Sequence, residues 1–438
     1  MKIAVLGGGT AGTIAAAHLS KVFPDVNLLH IYSSKIPTIG VGEGTTPRFP
    51  LWLKQLAGIG LEELSQRCGA TLKRGTHFEG WGNAGLDFFN RFQPTRLTGF
   101  HLDAGRVIGL LSDFVSATYI DRRVNALSSG PRSVKIHFED GPSEEVDFVF
   151  DARGFPPPEM LADPGQTIPL PWIPTSDAML RRLPAGTSSG STRVIARPHG
   201  WVFLIPIREW TSCGYVHNRS ISTAEDVAAD FDEFLAERGI ETFEARGQLS
   251  FPTFARRDVF DGRVFILGNA ASFIEPLEGT AIGTAIVAMR SAQEHLEGRD
   301  PSAPADSNAI AAYNAEMRSY VLRNSLFVAW HYACGSRWDS PFWRHAAEKF
   351  AEAQKNPSVQ QHCAEMDEFV DAGRELPGLA LPHYDDPQKW DREIYPLLKR
   401  FIPFGNFSEL NFAQVGHGMG YYGSATEGAH PAGLATQR

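Results

Sequence analysis

Three stretches of this chain combine residue types and spacings able to handle a ligand. The first is Gly7-Gly8-Gly9-Thr10-Ala11-Gly12, which follows the apolar run Lys2–Leu6 and precedes a stretch rich in small residues, Ala15, Ala16 and Ala17. Strand, G-x-G-x-x-G and helix together form a diphosphate-binding turn. Gly7 permits the tight bend, Gly9 lets backbone approach a pyrophosphate, and Gly12 allows helix and strand to pack closely. Thr13–Val22 reads as the helix, and the N–H groups and dipole at its start favour the phosphate charge. A glycine turn with no ligand is the alternative, and the flanking strand and helix argue against it. The second stretch, Gly40-Val41-Gly42-Glu43-Gly44-Thr45-Thr46, is a glycine-rich loop able to lie along a flat ligand. The third, Thr71–Trp81, fits a strand with Lys73 directed to one face. The glycine fingerprint alone does not separate NAD, NADP and FAD.

These stretches need a scaffold, and the chain is long enough to supply one. It has 438 residues, 43% hydrophobic and 21% charged, with a net charge of −9, which predicts two or three structural units. The acidic balance and the absence of a basic run argue against nucleic acid as a partner. Cys68, Cys213, Cys334 and Cys363 lie far apart, as reduced cytosolic thiols do, and not as a disulfide frame or metal site. A first strand at Lys2 and the lack of a long uncharged apolar run predict a cytoplasmic protein without a leader or membrane span.

Along the chain, Val26–Tyr32 reads as a second strand. It ends without the acidic residue that usually holds a nucleotide ribose, so weaker ribose binding is expected. Helices are expected over Phe49–Gly58, Leu61–Cys68, Ala104–Ala117 (capped by Asp103) and Ala224–Arg238 (capped by Thr223). Val134–Phe138 and Val146–Phe150 read as a hairpin about Glu139-Asp140-Gly141. A β-rich region spans Ile195–Asn218, a buried strand Arg263–Leu267 runs into Gly268-Asn269, and a helix follows from near Thr280 to His295. Beyond the Pro301–Pro304 linker, helices are expected over Asn308–Phe350 and Ser358–Ala372, then an irregular tail from Gly416. The late Val264–Leu267 strand sits far from the first one. A nucleotide domain assembled from distant segments points to FAD, whose ring system needs contacts from several of them.

Taken in order, Gly7–Gly12, Ile36–Glu43, the Lys73 strand, Phe100–Asp103, Asp151–Gly154, Trp201–Pro206, Gly268–Ile282, Asp339–Trp343 and the tail resemble the flavin-dependent halogenases typified by tryptophan halogenases. The resemblance implies an α/β fold: a Rossmann-like FAD-binding domain of the aromatic-hydroxylase type, an added substrate sheet and a mainly helical C-terminal part. The implied division is an FAD domain in segments 1–80, 126–160 and 256–298, a helical substrate-side segment 81–125, a substrate-side sheet region 161–255, and a helical region 299–438 closing the substrate pocket. FAD contacts fall on Gly7, Gly9, Thr10, Ala11, Gly12, Gly40, Val41, Gly42, Glu43, Gly44, Thr45, Gly268, Asn269 and Ile282.

The implied chemistry is that a separate flavin reductase delivers FADH2, which gives a C4a-hydroperoxide with O2. Chloride or bromide then yields hypohalous acid, which reaches a small aromatic such as tryptophan or an indole. Lys73 and Glu278 match the family's catalytic lysine and glutamate. Among Leu72, Phe78 and Trp81 the Lys73 ammonium is partly desolvated, and it can hydrogen-bond hypohalous oxygen. A carboxylate can stabilise the arenium cation and take its proton. The blander roles are a solvated strand-edge lysine and a carboxylate at a helix start.

Halide is expected at the backbone of Thr280 and Ala281, where Gly279 and Ala281 replace the family's serine and glycine. Phe203 replaces the second tryptophan of the family's W-x-W-x-I-P, which reads equally well as packed sheet core. Substrate contacts are expected from His101, Phe100, Trp81, Tyr421, Tyr422 and Glu427, with Trp330, His331, Tyr332 and Trp338 as a roof. No metal is expected, and a homodimer is compatible with the sequence. The alternatives are a single-component FAD-dependent aromatic hydroxylase that uses NAD(P)H directly, and a flavin-binding protein without turnover.

Overall fold

The computed structural model describes residues 1–36, 42–83, 87–92, 97–188, 190–376, 388 and 390–423. Its nucleotide side is a five-stranded parallel sheet in the order Val264–Ile266, Phe148–Asp151, Lys2–Leu6, Asn27–Tyr32, Thr118–Asp121. Ile3 to Leu6 are fully buried, as expected for strands covered on both faces. One face carries the helix Thr10–Val22 and the helix Ala281–Leu296, which pack on each other through small residues. The other carries a three-stranded antiparallel layer of Val124–Ser129, Val134–Phe138 and Glu144–Val146.

That layer corrects the expected hairpin. Only Glu144–Val146 returns antiparallel to Val134–Phe138, while Phe148–Asp151 leaves it and joins the parallel sheet beside Lys2–Leu6. Asp147 marks the switch, accepting the Lys2 backbone N–H at 2.7 Å. The Ala104 helix ends at Ser112, short of Ala117, although Asp103 does cap it by accepting from the Arg106 N–H. Thr223 likewise caps Ala224–Glu237. Segment 81–125 is not mainly helical: it holds the strands Phe88–Arg91, Gly99–Asp103 and Thr118–Asp121 around that one helix.

The substrate side is a seven-stranded sheet ordered Glu244–Ser250, Asp177–Pro184, Trp210–His217, Gly200–Pro206, Thr192–Arg197, Gly75–Glu79, Phe88–Arg91. All its pairs are antiparallel except Thr192–Arg197 with Gly75–Glu79. Helices Ser307–Trp330, Pro341–Ala353, Gln360–Glu375 and Glu409–Gly418 pack against it. The expected helical stretch 308–350 is made of two helices, Ser307–Trp330 and Pro341–Ala353. Residues 409–418 form a helix where the tail was expected to turn irregular from Gly416; Ser408 and Asn411 build a capping box at its start.

Between the two sheets lies a small three-stranded one, Gly42–Gly44, Gly99–Asp103 and Thr71–Lys73. It bridges the nucleotide turn and the substrate-side core. Among the described residues, no helix is long and apolar enough to cross a membrane.

Candidate functional site

At the nucleotide end, each glycine of the turn meets a different demand. Gly7 has φ 111°, and a side chain there would stand 2.4 Å from the Ala152 carbonyl oxygen. A Cβ on Gly12 would lie 2.1 Å from the Gly7 oxygen, so only glycine lets helix and turn close together. A Cβ on Gly9 would meet nothing within 4 Å, and Gly9 caps the helix without a side-chain hydrogen bond. The first-turn N–H groups of Thr10, Ala11 and Gly12 lie ahead of the first intrahelical carbonyl partners, which suits an anionic diphosphate. Gly268 has φ 56°, and a Cβ there would stand 2.6 Å from the Ala11 Cβ, so the Gly268-Asn269 turn lies against the fingerprint from far along the chain. Ile282 is buried in the core beneath.

Glu43 faces Thr10 from the bridging sheet. Burial pushes its carboxyl up to about 7, against the hydrogen bond of Thr10. The Thr45 hydroxyl accepts from the Phe100 N–H at 2.9 Å, tying this strand edge to its neighbour. Gly40 and Val41 lie outside the described residues.

Lys73 ends the three-residue strand Thr71–Lys73, opposite Gly99. Its side chain is 1% exposed, with the ammonium 5.6 Å from the centre of the Phe92 ring. A Cβ on Gly44 would come within 3.2 Å of Lys73 Nζ, and one on Gly279 within 3.5 Å. The lysine thus reaches its place through a gap left by two glycines. Burial lowers its pKa to about 8, while the charge of Glu278 pulls the other way.

His101 lies behind this lysine, fully buried. The Thr71 hydroxyl donates to the Pro206 carbonyl at 2.6 Å, so towards His101 Nδ1, 3.1 Å away, it accepts. Nδ1 then carries the hydrogen, and Nε2 accepts from the Thr192 hydroxyl at 3.0 Å. Burial, reinforced by the Lys73 charge, holds this imidazole well below its ordinary value and neutral. The Thr192 oxygen and Lys73 Nζ both lie 3.2 Å from the Cβ position of Gly44.

Glu278 is 3% exposed and precedes Gly279, whose φ of 62° makes the sharp turn into the Ala281 helix. Its Oε1 accepts from Asn90 Nδ2 at 2.8 Å and faces His331 Nε2 at 3.0 Å. Its Oε2 has one longer contact, the Thr76 hydroxyl at 3.3 Å. Asn90 is oriented in turn by Asn411, whose amide donates to its Oδ1 at 2.8 Å. Three residues upstream, Glu275 is buried as well. It accepts from the Tyr332 hydroxyl at 2.8 Å and from Thr175, and burial pushes its carboxyl up to about 7. None of Thr76, Asn90, Glu275 or Thr192 was singled out from the sequence; isolated polar residues in strands carry no pattern that marks them.

Thr280 is the N-terminal flank of the Ala281–Leu296 helix and makes no side-chain cap. Among the described residues the buried Thr46 hydroxyl has no hydrogen-bond partner, and it is 3.0 Å from the Cβ position of Gly283 in that first turn. An uncapped helix start beside an unspent hydroxyl suits a small anion.

The residues expected to hold substrate do not gather in one place. Phe100 belongs to the nucleotide-side core. Trp81 lies fully buried in the substrate-side core, against Phe78, Tyr332 and Trp343. Trp201 and Phe203 pack there too, and Trp201 Nε1 donates to the Tyr332 hydroxyl at 2.9 Å. Tyr422 donates to the carbonyls of Val370 and Phe412, and Tyr421 stands edge-on to Trp330. Of the expected roof, Trp330, His331 and Tyr332 are core residues and not a lining, while Trp338 is half-buried. Glu427 lies outside the described residues.

The fold thus combines a parallel sheet entered through a glycine fingerprint with a sealed lysine and carboxylate beneath the bridging strands. The chain matches the family described as Tryptophan halogenase over residues 2–98 and 93–376. It belongs to that family and is a flavin-dependent halogenase, with FAD as its cofactor. It is 23% identical to tryptophan 7-halogenase RebH of Lentzea aerocolonigenes, over 96% of this chain and 88% of that one. Its fold is that of tryptophan 6-halogenase SttH of Streptomyces toxytricini, with TM-score 0.77 and 18% identity over 96% of this chain and 91% of the other. The flavin-dependent halogenase Xcc4156 of Xanthomonas campestris gives TM-score 0.76 at 22% identity, over 98% and 90%.

Proposed function

We propose that this chain is the halogenating component of a two-component system, receiving FADH2 from a separate flavin reductase and acting on a small electron-rich aromatic such as tryptophan or an indole. The bound flavin, with O2 and halide, supplies hypohalous acid. The Thr10–Gly12 N–H groups and the Gly268 turn hold its diphosphate, and the Thr280–Ala281 backbone with Thr46 receives chloride or bromide.

Lys73 donates a hydrogen bond to the oxygen of hypohalous acid and so makes the halogen more electrophilic. The aromatic carbon gives an electron pair to the halogen, the O–X bond breaks, and the oxygen leaves as water once it has gained a proton. Glu278 stabilises the arenium cation and takes its ring proton, whose C–H electron pair restores aromaticity. The sum is HOX plus arene to haloarene plus water. The observation that carries this reading is the sealed ammonium of Lys73 beside the Glu278–Gly279 turn.

The test is Lys73→Ala, incubated with FAD, a flavin reductase, NADH, bromide and an indole panel. FAD binding, followed by flavin fluorescence, stays at the wild-type level and brominated product disappears. Normal product yield from the variant would overturn the assignment.

A further inference from the structure

The surroundings of Glu278 contain one group whose chemistry the preceding reading leaves unused. His331 caps the C-terminal end of helix Ser307–Trp330 and is 1% exposed. Its Nδ1 lies 2.9 Å from the Phe327 carbonyl oxygen and its Nε2 lies 3.0 Å from Glu278 Oε1. A carbonyl oxygen can only accept, so Nδ1 carries a hydrogen. A neutral ring would then turn a bare Nε2 lone pair towards a carboxylate oxygen. Both bonds are made together only when both nitrogens are donors or when the carboxyl itself is protonated.

The remaining neighbours decide between these. Oε1 already accepts from Asn90, whose amide cannot be reversed because Asn411 donates to its oxygen. Thr76 faces Oε2, and Lys73 supplies a positive charge nearby. Each is a donor or a positive charge set towards the carboxyl oxygens. The ring is also held between Phe78, 5.0 Å away and tilted by 30°, and Phe327, 4.9 Å away and edge-on at 83°, aromatic company that tolerates a cation. Among the described residues, His331 Nε2 faces Glu278, and the charge of Glu278 also acts on Lys73.

We infer that His331 is a positioning residue for Glu278: it donates from both ring nitrogens, ties Oε1 to the helix end, and leaves Oε2 as the oxygen free to take the substrate's proton. This rests on the reading of Glu278 as the proton acceptor. Asn90 and His331 between them fill Oε1, so Oε2, which among the described residues has only the long Thr76 contact, is the basic site. The helix Ser307–Trp330 thereby sets the direction from which the carboxylate works.

Two measurements test this. Ring-nitrogen NMR of histidine-labelled wild-type protein, assigned by the loss of one signal in His331→Asn, needs no turnover. It shows hydrogen on both nitrogens of His331 at neutral pH; a bare Nε2 overturns the inference whatever the enzyme does. In the bromination assay, His331→Phe loses product formation on the order of 10- to 100-fold, the worth of one hydrogen bond to a charged group, and its acid limb moves to higher pH. His331→Gln, which keeps a donor, restores most of the rate and returns the limb. Wild-type rate and an unmoved limb in His331→Phe refute the positioning role while leaving the Lys73 reading intact. Wild-type protein that never halogenates refutes that reading, and the NMR result then decides the proton placement alone.

Discussion

Replacing Lys73 by methionine should make the protein more stable and inactive at once, and the pH dependence of that gain follows from the burial of the ammonium. The group is lowered from 10.5 to about 8 by its surroundings, net of the attraction of Glu278. At about 1.4 kcal/mol per pH unit, holding it charged costs about 3 kcal/mol. Below pH 8 the lysine is protonated in both folded and unfolded chains, and the whole cost is present. Between 8 and 10.5 the folded protein has released a proton that the unfolded chain still holds, so wild-type stability rises with pH and the cost fades. Methionine fills a similar unbranched volume without a charge. Urea unfolding followed by tryptophan fluorescence should show the variant ahead by about 3 kcal/mol at pH 7, with the lead shrinking by about 2 kcal/mol at pH 9.5. A variant less stable than wild type at pH 7, or a lead that does not change with pH, would mean that the ammonium is not desolvated and that the argument for its hydrogen-bonding strength fails.

The same titration sets a base limb: product formation falls roughly tenfold per pH unit above about 8 as Lys73 loses its donor proton, and a profile flat to pH 10 contradicts this. Gly279→Ser, which restores the residue usual in the family, is destabilising here by about 1–3 kcal/mol, since φ is 62° and the new Cβ would press to 2.4 Å of the Gly44 oxygen; urea midpoints and product yield both fall. Glu275→Gln removes a carboxyl that burial raises from 4.5 to about 7. The unfolded chain ionises first, so wild-type stability drops between those pH values, and the variant gains on it by up to about 3 kcal/mol from pH 4.5 to above 7. A constant difference would place Glu275 in contact with solvent.

The nucleotide end was readable because its physics is local. Gly7, Gly9 and Gly12 fall within six residues, and the strand and helix around them announce themselves by apolar run and small residues. The late strand at Val264 was legible too, and it lies two strands from Lys2–Leu6 in a sheet gathered from distant stretches of chain. The Val134–Phe150 hairpin failed because alternation gives each strand its faces but not its partner; Asp147 redirects the chain within a single residue. Lys73 and Glu278 stood out through family resemblance, since nothing in their flanking sequence brings them together. Asn90, Thr76 and His331 lie 188, 202 and 53 positions from Glu278, and no periodicity connects them. His331 was visible only as part of an aromatic-rich stretch, where its ring reads as a lining and not as the partner of a carboxylate. Phe100 and Trp81 looked alike as stacking candidates, yet the bridging sheet divides them between two cores.

The central claim is that the Lys73–Glu278 centre puts halogen on an aromatic ring. Purified protein with FAD, a flavin reductase, NADH, O2 and bromide over a panel of tryptophan, indoles and phenols tests it in one mass-spectrometric measurement. The expected result is a product with the paired isotope pattern of bromine, lost on omission of the reductase. A hydroxylated, bromine-free product formed with NADH alone would contradict it.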